Sequence, residues 1–393
     1  MKYELKIRNS EGDILIPSVR DGVTLTSYRV RMPGVLRFAA LIDDELNISE
    51  GNKVAFFVDG RKVFLGYIFT RRLSADGRFW EVMACDQIRY FKNSYSLVYR
   101  NARASQVLRT ICDELGLKTG FIAKTTHVIP YGEEKENTIG RIVHNALERE
   151  LANNNTLYTV FDDFGEVTLK SARAMTVDSL ICPDTVSKIQ YSSSINSEAF
   201  NRIIAIYTDM RSGKYQKFVA KDSDRIREWG ALQKIEHLRE HENGDAKAQA
   251  LLARYNSPLE ELKVKCFGDI CVRAGSRVPV DLPHVGRKFM IAESCIHTFS
   301  GNSHMMELDL VNENKYNIRT AFMPVVEGDE VLETEGIEKG ITYFSTIGKD
   351  IEGFDAAKEP KVAVAVPTLL KGENFNYVSP SLGNGTEVSI VKW

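Results

Sequence analysis

The chain has 393 residues, a length that corresponds to two or three domains of ordinary size. Its 51 Lys and Arg nearly balance 53 Asp and Glu, so the net charge of -2 excludes the basic surplus of a nucleic-acid coat. With 43% hydrophobic and 26% charged residues the composition is globular, and no stretch has the apolar character of a secretory signal or a membrane span. We therefore expect a protein made in a cytosol-like compartment, with reduced cysteines, no bound nucleic acid and no stable membrane association.

The first hundred residues predict a compact β-barrel or sandwich. Apolar and aromatic residues alternate with polar ones, and turn signals such as Asp59-Gly60 and Asp76-Gly77 recur at short intervals. We assign residues 1–95 to this first barrel.

From about residue 103 the apolar spacing becomes helical. One predicted helix includes Val107 to Leu115 and ends at Gly116, and a second includes Ile139 to Leu151. A hairpin with a turn at Asp162 to Gly165 follows. We assign residues 96–180 to an α/β module inserted between β regions.

The remaining chain divides into three predicted parts. Residues 181–257 hold connecting strands and two helices, the second of which has Asp245 as its expected N-cap. Residues 258–319 form a second β-barrel. Residues 320–393 hold 12 acidic and 6 basic residues and no Arg, His or Cys, and their composition predicts an acidic linker with a C-terminal β extension. The predicted fold class is thus mixed and mainly β.

A weak internal repeat relates the two predicted barrels. The segment from Glu50 aligns with the segment from Ala274, so that Gly51 meets Gly275 and Gly60 meets Gly286 with a two-residue insertion. Chance similarity of two hairpins is one interpretation. The other is a duplicated barrel, in which each copy offers an equivalent surface to an assembly.

Few sequence motifs are typical of catalytic, cofactor-binding or metal-binding sites. His237, Glu240 and His241 match the H-x-x-E-H pattern of zinc proteases, but the residues before them alternate like a strand, so both histidines cannot share a helix face. No phosphate-binding glycine loop and no nucleophile elbow occurs in the sequence. We expect no catalytic, cofactor-binding or metal-binding residues, and no enzyme.

Three further groups favour structural roles over functional ones. His297 and His304 can face each other across a hairpin turn, but no third metal ligand is suitably spaced. The pair Cys266 and Cys271 would likewise need two more ligands nearby to bind a metal ion. The basic pairs Arg61-Lys62 and Arg71-Arg72 are typical of a solvated hairpin edge.

In combination, several segments resemble the baseplate hub proteins of contractile phage tails, in the PBSX-type (XkdQ/YqbQ-like) branch related to late-control D proteins. The resemblance covers residues 1–311, and Ala84-Cys85 replaces an aromatic position usual in the family. The segments that carry it include PGVLRF at Pro33, GNKVAFFVDGRKVFLGYIF at Gly51, CDQIRYFKNSYSLVY at Cys85, ASQVLRTICDELGL at Ala104 and CIHTFSGNSHMMELDL at Cys295.

The resemblance implies a homotrimer with pseudo-sixfold symmetry that joins the hexameric tail tube to the trimeric spike of a phage tail or bacteriocin. Tape measure, wedge and LysM-type baseplate proteins are further partners that it implies. The alternative from another class is a tail-associated peptidoglycan hydrolase. A cell-surface substrate-binding β protein is disfavoured by the lack of an export signal.

Residues 320–393 lie outside this resemblance. Their apolar content is too low to offset the roughly 1–2 kcal/mol that ordering each residue costs, yet KVAVAVPTLL and TEVSIVKW have strand character. We expect this tail to dock on a neighbouring hub subunit or the spike, with a wedge-type baseplate protein as the second choice, through strand addition or as an extended arm. The alternative is a flexible tail.

Overall fold

The computed structural model describes residues 1–42, 46–196, 198–208, 215–238, 243–316 and 375–376. The chain is mainly β, as the sequence predicts. Within the described residues, four α-helices and two short 3₁₀ helices accompany the strands: α1 (Ala104–Glu114), α2 (Ile139–Asn154), α3 (Ser223–Trp229), α4 (Gly244–Tyr255), and the 3₁₀ helices Gln87–Lys92 and Glu313–Tyr316.

The strands follow one another at short intervals along the chain. In order they are β1 (Tyr3–Arg8), β2 (Ile14–Leu15), β3 (Val19–Arg20), β4 (Val23–Tyr28), β5 (Val35–Leu41), β6 (Lys53–Val58), β7 (Arg61–Leu73), β8 (Phe79–Cys85), β9 (Ser94–Arg103), β10 (Thr119–Ile122), β11 (Val128–Thr138), β12 (Tyr158–Asp162), β13 (Val167–Ser171), β14 (Val186–Ser194), β15 (Arg202–Thr208), β16 (Tyr215–Lys221), β17 (Gln233–His237), β18 (Leu259–Phe267), β19 (Arg277–Leu282), β20 (Gly286–Ser300), β21 (Ser303–Asn312) and β22 (Phe375–Asn376).

Most strands belong to one continuous sheet. Its order is β14-β18-β21-β20-β4-β5-β8-β7-β6-β1-β2, with β19 paired to β20, β3 to β5, and β22 to β3. The pairing of β20 with β4 joins the two β regions, a continuity that the sequence did not predict.

Each β region has its own apolar core, and β20 contributes to both. Phe299 of β20 lies in the first core, where its ring centroid is 5.1 Å from that of Phe56. Met290 and Cys295 of the same strand lie in the second core. Burial of each large apolar side chain contributes about 1.5–3 kcal/mol, so β20 couples the stability of the two regions.

The two β regions have the same strand order. Read from the hairpin outward, the first is β6-β7-β8-β5-β4 and the second is β19-β20-β21-β18-β14, with every neighbour antiparallel. The five strands of each set also follow the same order along the chain. The repeat predicted from sequence therefore extends to topology.

The turns that open the two hairpins share their hydrogen bonds as well. The Gly51 N–H donates to Ile68 O (2.8 Å), and the Gly275 N–H donates to Ala292 O (2.7 Å). Just after Ile68 and Ala292, the pairing of each long strand with its neighbour shifts register. Gly51 and Gly275 have φ values of 86° and 91°, a conformation that favours glycine. These equivalent details make chance similarity of two hairpins a poor explanation.

The inserted α/β module contains both predicted helices. α1 and α2 pack together with β9, β11 and the β10-β13-β12 sheet around a separate core. The Thr138 hydroxyl caps α2 by accepting from the Arg141 N–H, and the predicted hairpin is β12-β13. The sequence missed the β9-β11 pair, because the charged residues of β11 obscure its alternation.

The connecting part contains a small sheet in the order β16-β15-β17 with α4 on one face. Its strands and helices occur where the sequence predicts them. The N-cap of α4 is Asn243, whose side chain accepts from the Ala246 N–H (3.0 Å). The expected cap, Asp245, instead lies in the first turn, because the helix begins earlier than predicted.

Strand β14 crosses the predicted division between the connecting part and the second barrel. It lies in the range 181–257 that was assigned to connecting elements, yet it pairs with β18 of the second β region. The acidic linker and the strand-like segments predicted in 320–393 lie outside the described residues. In that range the structure describes β22, which pairs with β3.

Gly51 and Gly275 occupy equivalent turns, and substitution of each glycine tests how tightly its turn is packed. We expect Gly51→Ala to destabilise the fold by about 1 kcal/mol, because its positive φ is unfavourable for alanine and its surroundings are open. Gly275→Ala should cost about 1–3 kcal/mol more, since the new Cβ would lie 2.6 Å from Thr159. Thermal unfolding of both variants measures the difference. Equal losses would contradict the tighter packing at Gly275.

Candidate assembly interface

Three parts of the chain meet around a cleft of about 520 Å³, here called the junction cleft. The first β region contributes Gly34 and Asp86, and the α/β module contributes the β12-β13 hairpin. The second β region contributes the loop before β19, from Asp269 to Ser276. The side chains of this cleft therefore lie where the three parts of the chain meet.

Two buried carboxyl groups, Asp86 and Asp162, lie in the junction cleft. Asp86 accepts hydrogen bonds from the N–H groups of Gly34 (2.7 Å) and Ile88 (3.0 Å). Burial, and then the nearby Asp162, raises the pKa of Asp86 well above its usual range. Burial also raises the pKa of Asp162 to about 6. The pair therefore binds a proton at a higher pH than isolated carboxyl groups do.

Arg273 supplies the positive charge of this cluster from the second β region. Its guanidinium lies 4.2 Å from the centroid of the Phe161 ring. Burial lowers the pKa of Arg273, while Asp163, Asp162 and Asp86 favour its charged form. Removing one member would leave a buried charge without compensation, which is strongly destabilising.

The two histidines predicted to face each other do so. His297 Nδ1 lies 2.9 Å from His304 Nε2, and His297 Nε2 lies 2.9 Å from Val272 O. Burial lowers the pKa of His297 to about 4. Within the described residues no group of three or more His, Cys, Asp or Glu side chains could hold a metal ion. The arrangement is a hydrogen-bonded contact between the hairpin and the loop before β19.

The other candidate residues do not come together into a site. His237 ends β17, as the strand-like spacing predicts, whereas Glu240 and His241 lie outside the described residues. Cys266 is buried and Cys271 is exposed.

The predicted basic edge is only partly solvated. Arg61 lines the junction cleft. Arg71 pairs with Glu50 (3.4 Å), and its guanidinium lies 4.8 Å from the centroid of the Trp80 ring. The expectation of a solvated edge agrees with the exposure of Arg61, Lys62 and Arg72. It does not hold for Arg71, which is half-buried against its neighbours.

Comparison with known proteins shows to which family this chain belongs. The sequence model described as YQBQ-like matches residues 23–311. The chain belongs to the YQBQ-like family. A family relative, the phage-like element PBSX protein XkdQ of Bacillus subtilis strain 168, is 28% identical over 309 residues, which cover 75% of this chain and 93% of the relative.

Two solved tail proteins share the fold of this YQBQ-like chain. The 43 kDa tail protein of prophage MuSo2 from Shewanella oneidensis matches with a TM-score of 0.61 and 14% identity, over 80% of this chain and 99% of that chain. The tail protein of Neisseria meningitidis MC58 matches with a TM-score of 0.61 and 13% identity, over 81% and 99%. The likeness to these two tail proteins shows a shared fold. Within the described part of it, no helix is long and apolar enough to cross a membrane.

The raised pKa of Asp162 predicts a pH-dependent contribution to stability. A carboxyl group that titrates near 6 when folded and near 4 when unfolded binds more protons in the folded chain, so its contribution is lost as the pH rises through this window. Relative to Asp162→Asn, the wild type should lose on the order of 2–3 kcal/mol between pH 4 and 6.5. Urea unfolding across this range measures it. Asp281→Asn, at an exposed position of β19 that does not line the cleft, is the control, and parallel curves for wild type and Asp162→Asn would refute the prediction.

The lowered pKa of His297 predicts the opposite dependence of folding stability on pH. Its pKa of about 4 when folded lies below the unfolded value, so the folded chain binds fewer protons and loses stability as the pH falls from about 6.5 to 4. In His297→Gln, which keeps a donor for Val272 O, this loss should be reduced relative to the wild type. Unfolding curves at each pH provide the measurement, with exposed His284→Gln as the control. An unchanged acid sensitivity would count against the prediction.

Proposed function

We propose that the chain is the baseplate hub of a contractile phage tail or a phage-tail-like bacteriocin. In this role three chains form a ring with pseudo-sixfold symmetry that joins the hexameric tail tube to the trimeric spike. Assembly takes place in the bacterial cytoplasm, and the released particle carries the hub in its baseplate. Tape measure, wedge and LysM-type baseplate proteins are the further partners proposed.

The observation that carries the proposal is the duplicated β unit. Two five-stranded sets with one strand order, and equivalent turns at Gly51 and Gly275, occur in a single chain. Three such chains present six similar units, which is the number needed to meet a sixfold tube. A chain with one unit would need six copies to do the same.

A free sheet edge supports contacts between subunits. β14 pairs only with β18 among the described strands, so its other side offers unpaired backbone groups. Ile189 on this strand is 46% exposed. A permanent ring should bury well over about 1,200 Å² at each subunit contact, and strand pairing along β14 would provide the polar part of such an interface.

The equivalence of the two units indicates which strand β14 would meet. Within the chain β4, the counterpart of β14, pairs with the second half of β20. The counterpart of that half-strand is residues 70–73 of β7, which pair on one side with β8 and lie beyond the end of the β6 pairing. Pairing of β14 with this part of β7 in a neighbouring chain would repeat the junction between units and continue the ring.

The hydrolase alternative has little support. Catalysis of the type suggested by H-x-x-E-H requires two histidines on one helix face, but His237 lies at the end of a strand. The candidate residues at His297 and His304 bond each other and the backbone. We therefore propose a structural protein without enzymatic activity.

The oligomeric mass tests the proposed role. In analytical ultracentrifugation the purified full chain alone should have three times the chain mass of 44.3 kDa. With its tube and spike proteins it should form a larger complex that contains three copies of the chain. The variant Ile189→Asp, which places a charge on the β14 edge, should weaken the trimer without unfolding the chain; exposed Lys135→Asp, on the α/β module, is the control. A monomer under all conditions, including with tube and spike, would overturn the proposal.

A further inference from the structure

The small sheet of the connecting part has one face that none of the described elements covers. α4 packs on the inner face, formed by residues such as Ile203 and Ala205. On the outer face, Val219, Ile204 and Ile235 lie in register across the three strands and form one apolar row. Val219 is 42% exposed and Ile235 is 51% exposed. Ile204 on the central strand is 5% exposed, so the exposed apolar area lies on β16 and β17, and exposed apolar side chains that lie in one row indicate a docking surface.

Basic side chains flank the apolar row on both sides. The register places Lys217 and His237 beside Ile206, and Lys221 beside Arg202. None of the described residues on the outer face of these strands is acidic. The Nε atom of Arg202 is buried and has no hydrogen-bond partner among the described residues. The surface thus suits an occupant that combines apolar and acidic side chains.

One segment of this chain has that composition. Residues 325–338, which lie outside the described residues, have the sequence VVEGDEVLETEGIE, with six acidic residues, five Val, Leu or Ile residues and no basic residue. The whole chain, by contrast, is close to neutral, with a net charge of -2. The composition of the segment matches both the apolar row and its basic flanks.

The described chain before this segment ends close to the sheet. The 3₁₀ helix Glu313–Tyr316 packs against α4, and Arg254 of α4 donates from Nε to Lys315 O (3.0 Å). Val325 follows Tyr316 by nine positions in the sequence, a reach of about 30 Å at roughly 3.3 Å per residue. A path around a sheet and one helix, layers spaced by about 10 Å, lies within this reach. The segment can therefore reach the outer face of its own chain.

We propose that residues 325–338 dock on the outer face of β16-β15-β17 in the same chain. Val and Leu side chains of the segment cover the apolar row, and its carboxylates pair with Lys217, Lys221 and Arg202. The contact anchors the start of the C-terminal region to the connecting part. It does not depend on the proposed hub role.

Zero-length carbodiimide cross-linking of the full chain, followed by mass spectrometry, tests the contact. Lys217 and Lys221 should form cross-links to acidic residues within 327–338, and high salt should weaken them. The double variant Lys217→Gln/Lys221→Gln should lose these links and increase amide exchange in 325–338. Lys188→Gln, at an exposed lysine of β14, is the matched control and should change neither readout. Absence of the links in the wild type would overturn the proposal.

A mixing experiment shows whether the docked segment belongs to the same chain or to a neighbouring copy. The Lys217→Gln/Lys221→Gln chain is co-expressed with a chain whose six acidic residues in 327–338 are changed to Gln. In this mixture the cross-link can form only between chains, so the proposal predicts that it is absent. A cross-link in the mixture would assign the surface to a neighbouring copy and refute docking within one chain.

Discussion

The architecture depends on one strand, β20, whose two halves pair with different parts of the chain. Its first half forms a hairpin with β19, and its second half, from Ser294 to Phe299, pairs with β4 of the first β region. Backbone pairing fixes register, because a slip by one residue would turn every side chain to the other face. The two β regions are therefore held as one sheet, and the surfaces that they offer to partners keep a fixed spacing.

The junction cleft adds specificity to this backbone connection. Asp86, Asp162 and Arg273 come from the first β region, the α/β module and the second β region. Buried charges contribute little net stability, but a misplaced partner leaves an uncompensated charge, so the cluster favours one arrangement of the three parts. A hub that transmits force would benefit from such a fixed orientation. The α/β module is then a brace between the two β units.

The sequence predicted the local elements well and the long-range pairing poorly. The helical spacing of Val107 to Leu115 and the turn glycines Gly51 and Gly275 are local signals, and the structure confirms the elements they indicate. The pairing of β4 with β20 joins residues far apart in sequence, and no local pattern encodes it. The same holds for Asp86 and Asp162, which resemble ordinary turn residues until the fold buries them together. The apolar row on the outer face of β16-β15-β17 could not be predicted from the sequence for a related reason. Only the register of the three strands shows that their apolar side chains form one row.

The central claim is that one chain supplies two equivalent β units to a threefold assembly. The most direct measurement is a cryo-electron microscopy reconstruction of the tail end of the particle, computed without imposed symmetry. The account predicts three copies of the chain, with the Gly51 and Gly275 hairpins in six alternating and nearly equivalent positions facing the tube. Six copies of the chain, or hairpins in unrelated positions, would contradict it.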